Sequence, residues 1–267
     1  MRDLVRDYVL EQLADDEAVL VLDEAGFLKQ GRTSCGVARQ YTGSAGKITN
    51  CQIGVFAAYV SRHGQAFIDQ TLYLPRDWTA DPERLAAAHV PEGIGFSTKP
   101  RIAEDMIERA IAANTPFAWV AADSVNGVNH LETALRRAGK GYVLGVKGTH
   151  AVKAWIDRPG LWTRGLLIRR RLVDGELAYF ATWAPIGTSL EKLAWVEGHR
   201  WSIESAFETA KGELGLDHNA TRSWHGWHRH VSLVMLAFAL LARVRHQANA
   251  PTPPKTIQRL IALTYPS

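Results

Sequence analysis

Two apolar runs, Ala18 to Leu22 and Phe117 to Ala122, each stop on an aspartate, Asp23 and Asp123. Short apolar runs bounded by turn residues read as strands buried on both faces. Pro116 opens the second run, and Gly26 and Gly127 follow the two acids. A chain with two such strands needs a central sheet covered by other elements, and it carries an acid to each strand end.

The remaining elements fall around these strands. Leu4 to Leu13 has the spacing of a short amphipathic helix. Gly31 to Lys47, rich in Gly, Ser and Thr, reads as a loop or ragged hairpin. Cys51 to Val60 and Ala66 to Leu74 are paired strands about the turn Arg62-His63-Gly64-Gln65. Arg76 to Thr98 is an irregular connection. Pro100 sits where a first helical turn tolerates proline, and Ile102, Met106, Ala110 and Ile111 continue the helix. His130 to Ala138 predicts a helix, Gly141 to Val146 a strand, and Leu166 to Arg171 with Glu176 to Trp183 a hairpin around Asp174-Gly175. Ser189 caps a helix expected to run unbroken to about Lys211, with Glu204 on it. A last helix spans about His230 to Arg245, and Pro251, Pro253 and Pro254 begin a frayed tail.

Strand with terminal acid, hairpin, helix, strand with terminal acid, helix, strand, hairpin, then a helix with a third acid is the order of a ribonuclease-H-like fold. The expectation is therefore an α/β chain with a mixed sheet. Its organisation reads as a helix over 1–17, a core over 18–148 and 189–247, a small β insertion over 149–188 before the acid helix, and a tail over 248–267. In such a fold Asp23 and Asp123 lie side by side and the helix brings Glu204 to them.

Phosphoryl transfer on nucleic acid needs positive charge at the attacking and leaving oxygens, which two Mg²⁺ about 3.5–4 Å apart supply. Mg²⁺ takes hard oxygen ligands and keeps several waters, so three carboxylates suffice. Asp23 would bridge both ions, with Asp123 and Glu204 completing one side each, and Mn²⁺ could substitute. Taken singly, each acid has a plainer reading: Asp is a turn former at strand ends, and helices are full of Glu. Glu24 and Glu208 compete locally.

The 267 residues carry a formal net charge of +4 and two cysteines, Cys35 and Cys51, without CxxC spacing. That pattern suits a reducing cytoplasm and argues against a zinc knuckle. The N-terminus lacks a signal peptide's apolar core. The apolar stretch Val231 to Val244, interrupted by Ser232 and Arg243, is too short to span a bilayer. Charge distribution says more than the total. Between Arg136 and Arg171 lie ten Lys and Arg residues, Arg169, Arg170 and Arg171 among them, against Asp157 alone. Such a block suits either a polyanion or a solvated basic face.

Arg200-Trp201-Ser202-Ile203-Glu204 followed by Lys211 resembles the R-x3-E-x6-K core of the transposase signature Y-x2-R-x3-E-x6-K, with Glu197 at the tyrosine position. The chain is similar in particular to insertion-sequence family 701. The resemblance is carried by Leu22 to Gly31, Gly36 to Gly43, Asn50 to Val55, Leu72 to Pro75, Ala122 to Gly127, Gly215 to His218 and Arg222 to Trp227. It implies a DDE-type DNA transposase in which Asp23, Asp123 and Glu204 hold the metals while Arg200 and Lys211, on one helical face, contact DNA phosphates. Such an enzyme would act on transposon ends and target DNA in the bacterial cytoplasm at the nucleoid, and would synapse the ends as a homodimer. Members of this branch carry a helical domain ahead of the first Asp, an aromatic at the position of Asn126 and a longer segment between Gly148 and Leu166. A core short of that domain, serving as a DNA-binding or partner-binding module, is the alternative expectation.

Other residues extend the expected DNA surface. Lys29 and Arg39, with Arg32 and Lys47, flank the first acid. Trp224, Trp227 and Arg229, with His225, His228 and His230, form an aromatic and basic cluster past the acid helix. Trp224 and Trp227 are candidates for base stacking, against the alternative that they anchor the last helix in the core.

Overall fold

The apolar runs build one nine-stranded mixed sheet. The structure is a computed structural model and describes residues 1–123, 129–149, 155–157 and 161–249. The elements are α1 (Arg2–Leu13), β1 (Val19–Leu28), β2 (Ala38–Thr42), β3 (Lys47–Ser61), β4 (Gly64–Leu72), α2 (Arg76–Thr79), α3 (Pro82–Ala87) and α4 (Lys99–Ala112). They continue as β5 (Trp119–Ala122), α5 (Asn129–Arg137), β6 (Gly141–Val146), β7 (Trp155–Asp157), β8 (Trp162–Arg170), β9 (Leu177–Pro185), α6 (Leu190–Gly198), α7 (Arg200–Gly212) and α8 (Trp224–Asn249). The Ser124–Gly127 part of the family-like motif, Lys153, Arg158 and the tail from residue 250 lie outside the described residues.

The strand order is β2-β3-β1-β5-β6-β9-β8-β7, with β4 also pairing β3. β1, β5 and β6 run parallel, and β3 and β4 add antiparallel strands on the other side of β1. This mixed arrangement is consistent with a ribonuclease-H-like fold. The hairpin β8–β9 joins the same sheet through β6, so the strands of the expected insertion extend the sheet edge.

Several boundaries differ from the sequence expectation. β1 does not stop at Asp23: it runs on to Leu28 because β3 keeps pairing with it as far as Leu28↔Cys51. Only its parallel pairing to β5 ends there, at Leu22↔Ala122. The expected single helix from Ser189 to Lys211 is two, α6 and α7, meeting at His199; the Ser189 hydroxyl caps the first by accepting from the Lys192 N–H. The last helix starts at Trp224, where the Ser223 hydroxyl accepts from the Gly226 N–H. At 26 residues α8 has the length and composition to cross a membrane, but its Trp227, Val231, Met235 and Phe238 face is buried, and the helix packs on β4 and α1. Smaller differences are two short helices, α2 and α3, within the expected irregular stretch.

An aromatic cluster fixes the helical layer to the sheet. Phe207 of α7 meets Phe56 of β3 and Phe67 of β4, each with centroids 5.2 Å apart. Phe238 of α8 meets Phe67 at 5.2 Å, and Trp227 meets Phe27 of β1 at 6.2 Å. Burying each large side chain contributes about 1.5–3 kcal/mol, and the tilted ring geometries add to it.

Gly54 of β3 makes room for this cluster: a Cβ there would stand 2.7 Å from the Phe56 ring and 2.9 Å from the Trp227 ring. Gly54→Ala should lower stability by about 1–3 kcal/mol through overpacking. Gly31→Ala, where a Cβ meets nothing within 4 Å, should stay within about 0.5 kcal/mol. Urea unfolding of the two variants checks the difference; equal effects would contradict this packing.

Candidate active site

Asp23 and Asp123 are the next residues after the last parallel pair, Leu22↔Ala122. Adjacent strands lie about 4.8 Å apart, so the two acids flank each other where β5 ends and β1 continues. Side chains alternate along β1, which separates Asp23 from its neighbour Glu24. Glu24 is occupied by Lys99 at the start of α4, 2.7 Å away. Asp23 shares its face with Phe27, because the directly opposed residue Phe56 packs on Phe207. That is the face α7 covers, and Glu204 lies on α7 one turn before Phe207.

The charges of the other two acids reach Asp23. Burial pushes the Asp23 carboxyl from 3.8 up to about 7; the Glu24 backbone N–H, 2.7 Å from Oδ1, opposes this, while the charges of Asp123, Glu204 and Glu24 reinforce it. Carboxylates are hard oxygen donors, and three of them are a donor set of the kind that holds a divalent cation. Among the described residues, no three His, Cys, Asp or Glu side chains are already drawn together as a metal cage. Glu204 is held by Arg200 one turn earlier on α7, whose Nη1 donates to its Oε1 at 2.7 Å.

Next to Asp123 is an open cleft of about 290 Å³ whose walls include Gly145, Tyr179, Arg169 and Arg200. Arg169 reaches it from β8 and donates to Glu197 at 2.7 Å, and the Arg200 Nε lies 3.8 Å from the same carboxylate. Glu197, only 7% exposed, therefore pins the hairpin to the start of α7. It stands at the signature's tyrosine position, and its role becomes visible only once the hairpin partner is placed. Lys99 and Tyr179 were equally absent from the sequence expectation, since nothing in their spacing links them to the acids.

The expected DNA contacts divide into three groups. Arg39, Arg170 and Arg229 are exposed and free to meet a phosphate. Others are engaged: Arg200 with Glu204, Lys211 with the Ser44 hydroxyl at 2.9 Å, Lys29 with the Asn219 carbonyl, and Arg171 with Asp174 and Glu176 at 2.5 Å. Burial holds both Lys29 and Lys211 below the usual lysine range. Trp227 is a correction: at 1% exposure, wedged against Phe27, it belongs to the core and cannot stack on a base. Trp224 is half-buried and rests on His228.

The basic block is likewise only partly a surface. Arg164 forms a buried pair with Glu132 at 2.5 Å, and Lys140 donates to the Phe117 carbonyl at 2.6 Å. Arg137, Lys147 and Arg170 remain exposed. The balancing acids come from outside the block, which a count within it could not show.

Over residues 1–165 the sequence matches the DDE superfamily endonuclease family, a span that contains Asp23 and Asp123 and ends before Glu204. No curated protein gives a significant match. That family carries out metal-dependent nuclease chemistry on DNA of the transposase kind. With its two strand-borne aspartates, its mixed sheet and a match over more than half its length, this chain belongs to the DDE superfamily endonucleases.

Proposed function

We propose that the chain is a DNA transposase of the insertion-sequence kind, nearest to family 701, that nicks DNA at element ends and joins the freed 3′ end to a target. The observation that supports it most is the placement of Asp23 and Asp123 side by side at the end of the β1–β5 pairing, where burial raises the Asp23 carboxyl and the charges of Asp123 and Glu204 add to it. Asp23, Asp123 and Glu204 would hold the divalent ions, which would supply the charge that neutralises the attacking and leaving oxygens of a phosphodiester.

The remaining work falls to this chain's own groups. Arg169 and Arg200 line the cleft beside Asp123 and suit the equatorial oxygens of the scissile phosphate, since a guanidinium donates to two of them at once. For that contact Arg200 must exchange its bond to Glu204 for one to phosphate, which frees the Glu204 carboxylate at the moment substrate arrives. Arg39, Arg170 and Arg229 would hold the flanking backbone without reading sequence. The reading places the protein in the cytoplasm at the nucleoid, with two chains bringing two element ends together.

Asp23→Asn should abolish Mg²⁺- or Mn²⁺-dependent nicking of plasmid DNA while leaving duplex affinity unchanged or higher, because it removes a metal ligand and a charge that repels phosphate. Cleavage that survives excess chelator would sink the metal reading. Binding without nicking by the unsubstituted chain would favour a DNA-binding module instead.

The raised Asp23 value makes a second prediction. Between 3.8 and about 7 the folded state keeps a proton that the unfolded chain releases. This group's contribution to stability is therefore full below 3.8 and falls as pH rises through that window. Asp23→Asn should raise the Tm at pH 8, by about 2–4 °C for each kcal/mol of strain relieved, and change it little at pH 4. Mg²⁺ should raise the Tm of the unsubstituted protein more at pH 8 than at pH 5. Equal responses at the two pH values would contradict an uncompensated carboxylate cluster.

Duplex affinity should also fall steeply with salt, log K against log [salt] sloping at about −0.9 per phosphate neutralised. Arg39→Ala, Arg170→Ala and Arg229→Ala should each reduce that slope by about 0.9. A slope that none of the three changes would remove these residues from the DNA surface.

A further inference from the structure

The last helix, α8, has two apolar faces. One is the buried face of Trp227, Val231, Met235 and Phe238, which packs on β4 and α1. On the opposite side Leu233, Leu236, Leu240 and Val244 are 52%, 38%, 53% and 54% exposed. Steps of three, four and four residues set them in one stripe along the helix. Exposed Arg229 and Gln247 bound the stripe, which at 1.5 Å per residue is roughly 17 Å long. A helix that is apolar all round is a covered helix, and a contiguous exposed apolar patch marks a contact surface. Among the described residues, no element covers this one.

The sequence that follows α8 matches the stripe. The helix runs to Asn249, and Pro251, Pro253 and Pro254 do not continue one. Beyond them Ile257, Leu260 and Ile261 recur at helical spacing behind Thr256, a residue type that caps helices. Gln258 and Arg259 fall on the other side of that pattern.

A return along α8 is within reach. Ala250 to Lys255 is six residues, inside the usual range for a helix–helix connection. Val244 lies about 7.5 Å back from Asn249 along the axis, and a packed helix stands about 8–10 Å to the side. Six proline-rich residues at about 3.1 Å each extend about 19 Å, enough for both. Ile257 then comes level with Val244 and Ile261 with Leu240, since each pair is four residues apart.

Charge favours this occupant over a second copy. α8 carries no acid. Two copies laid stripe to stripe would set Arg229, Arg243 and Arg245 of one helix against those of the other. The side formed by Ile257, Leu260 and Ile261 brings no charge.

We propose that Ile257 to Leu263 fold back as a helix and pack on the Leu233 to Val244 stripe of α8 in their own chain. The contact clamps from outside the helix whose inner face holds the Phe67 and Phe27 rings. It needs neither metal nor DNA, so it stands apart from the proposed transposase chemistry.

The test is hydrogen exchange read by mass spectrometry on the full chain, without metal or DNA, at two protein concentrations. The amides of 257–263 should exchange about tenfold or more slower than those of a free chain, and equally at both concentrations. Leu240→Ser, at an exposed position, should abolish that protection and leave β1 and β5 protected. Circular dichroism checks folding, and Val244→Ser, one turn along, takes its place if Leu240→Ser does not fold. The proposal is overturned if 257–263 exchange at the free-chain rate, or if their protection is unchanged in the folded variant. Protection lost on dilution also overturns it, since the occupant would then be a second copy.

Discussion

The parallel pairing of β1 with β5 is the constraint on which the rest depends. It sets Asp23 and Asp123 on neighbouring strands one residue past Leu22↔Ala122, an arrangement that like charges oppose. What holds them there is apolar burial. Val19 to Leu22 and Val120 to Ala122 are at most 1% exposed, as are Tyr142 to Leu144 of β6. The sheet thus holds like charges near one another and buries Asp23, and that burial, with the neighbouring charges added, raises its carboxyl.

The third acid depends on different contacts. Among the described residues nothing bonds Glu204 to the sheet; it is placed by α7, and α7 is placed by Ile203, Phe207 and the rings around Phe56 and Phe67. The cluster continues through Phe238 and Trp227 into α8, so acid placement and core packing are one problem. Glu197 ties in the other side, drawing Arg169 of the hairpin toward the start of α7. The hairpin that extends the sheet beyond β6 thereby lends a cation to the cleft beside Asp123.

Much of this was legible in the residues. Apolar runs ending in acids located β1, β5 and their aspartates, and the Arg200, Glu204 and Lys211 spacing located the helix. What escaped was set by partners distant in sequence. β1 continues past Asp23 because β3 has residues to pair with it. Trp227 could be read as a base-stacking residue or as a core anchor, and the space left by Gly54 seats it in the core. The basic block reads as one surface, but Glu132 and Glu197 take up Arg164 and Arg169. The Gln70 and His228 pair lies 158 residues apart in the chain, beyond any local pattern.

The central claim is that acids from two strands and one helix form a single divalent-cation site. Anomalous diffraction from a crystal soaked in Mn²⁺ tests it most directly. The account predicts two manganese peaks about 3.5–4 Å apart, with Asp23 between them, Asp123 and Glu204 on opposite sides, and Glu204 released from Arg200. Manganese bound elsewhere, or absent at Asp23 while Glu204 stays on Arg200, would contradict it.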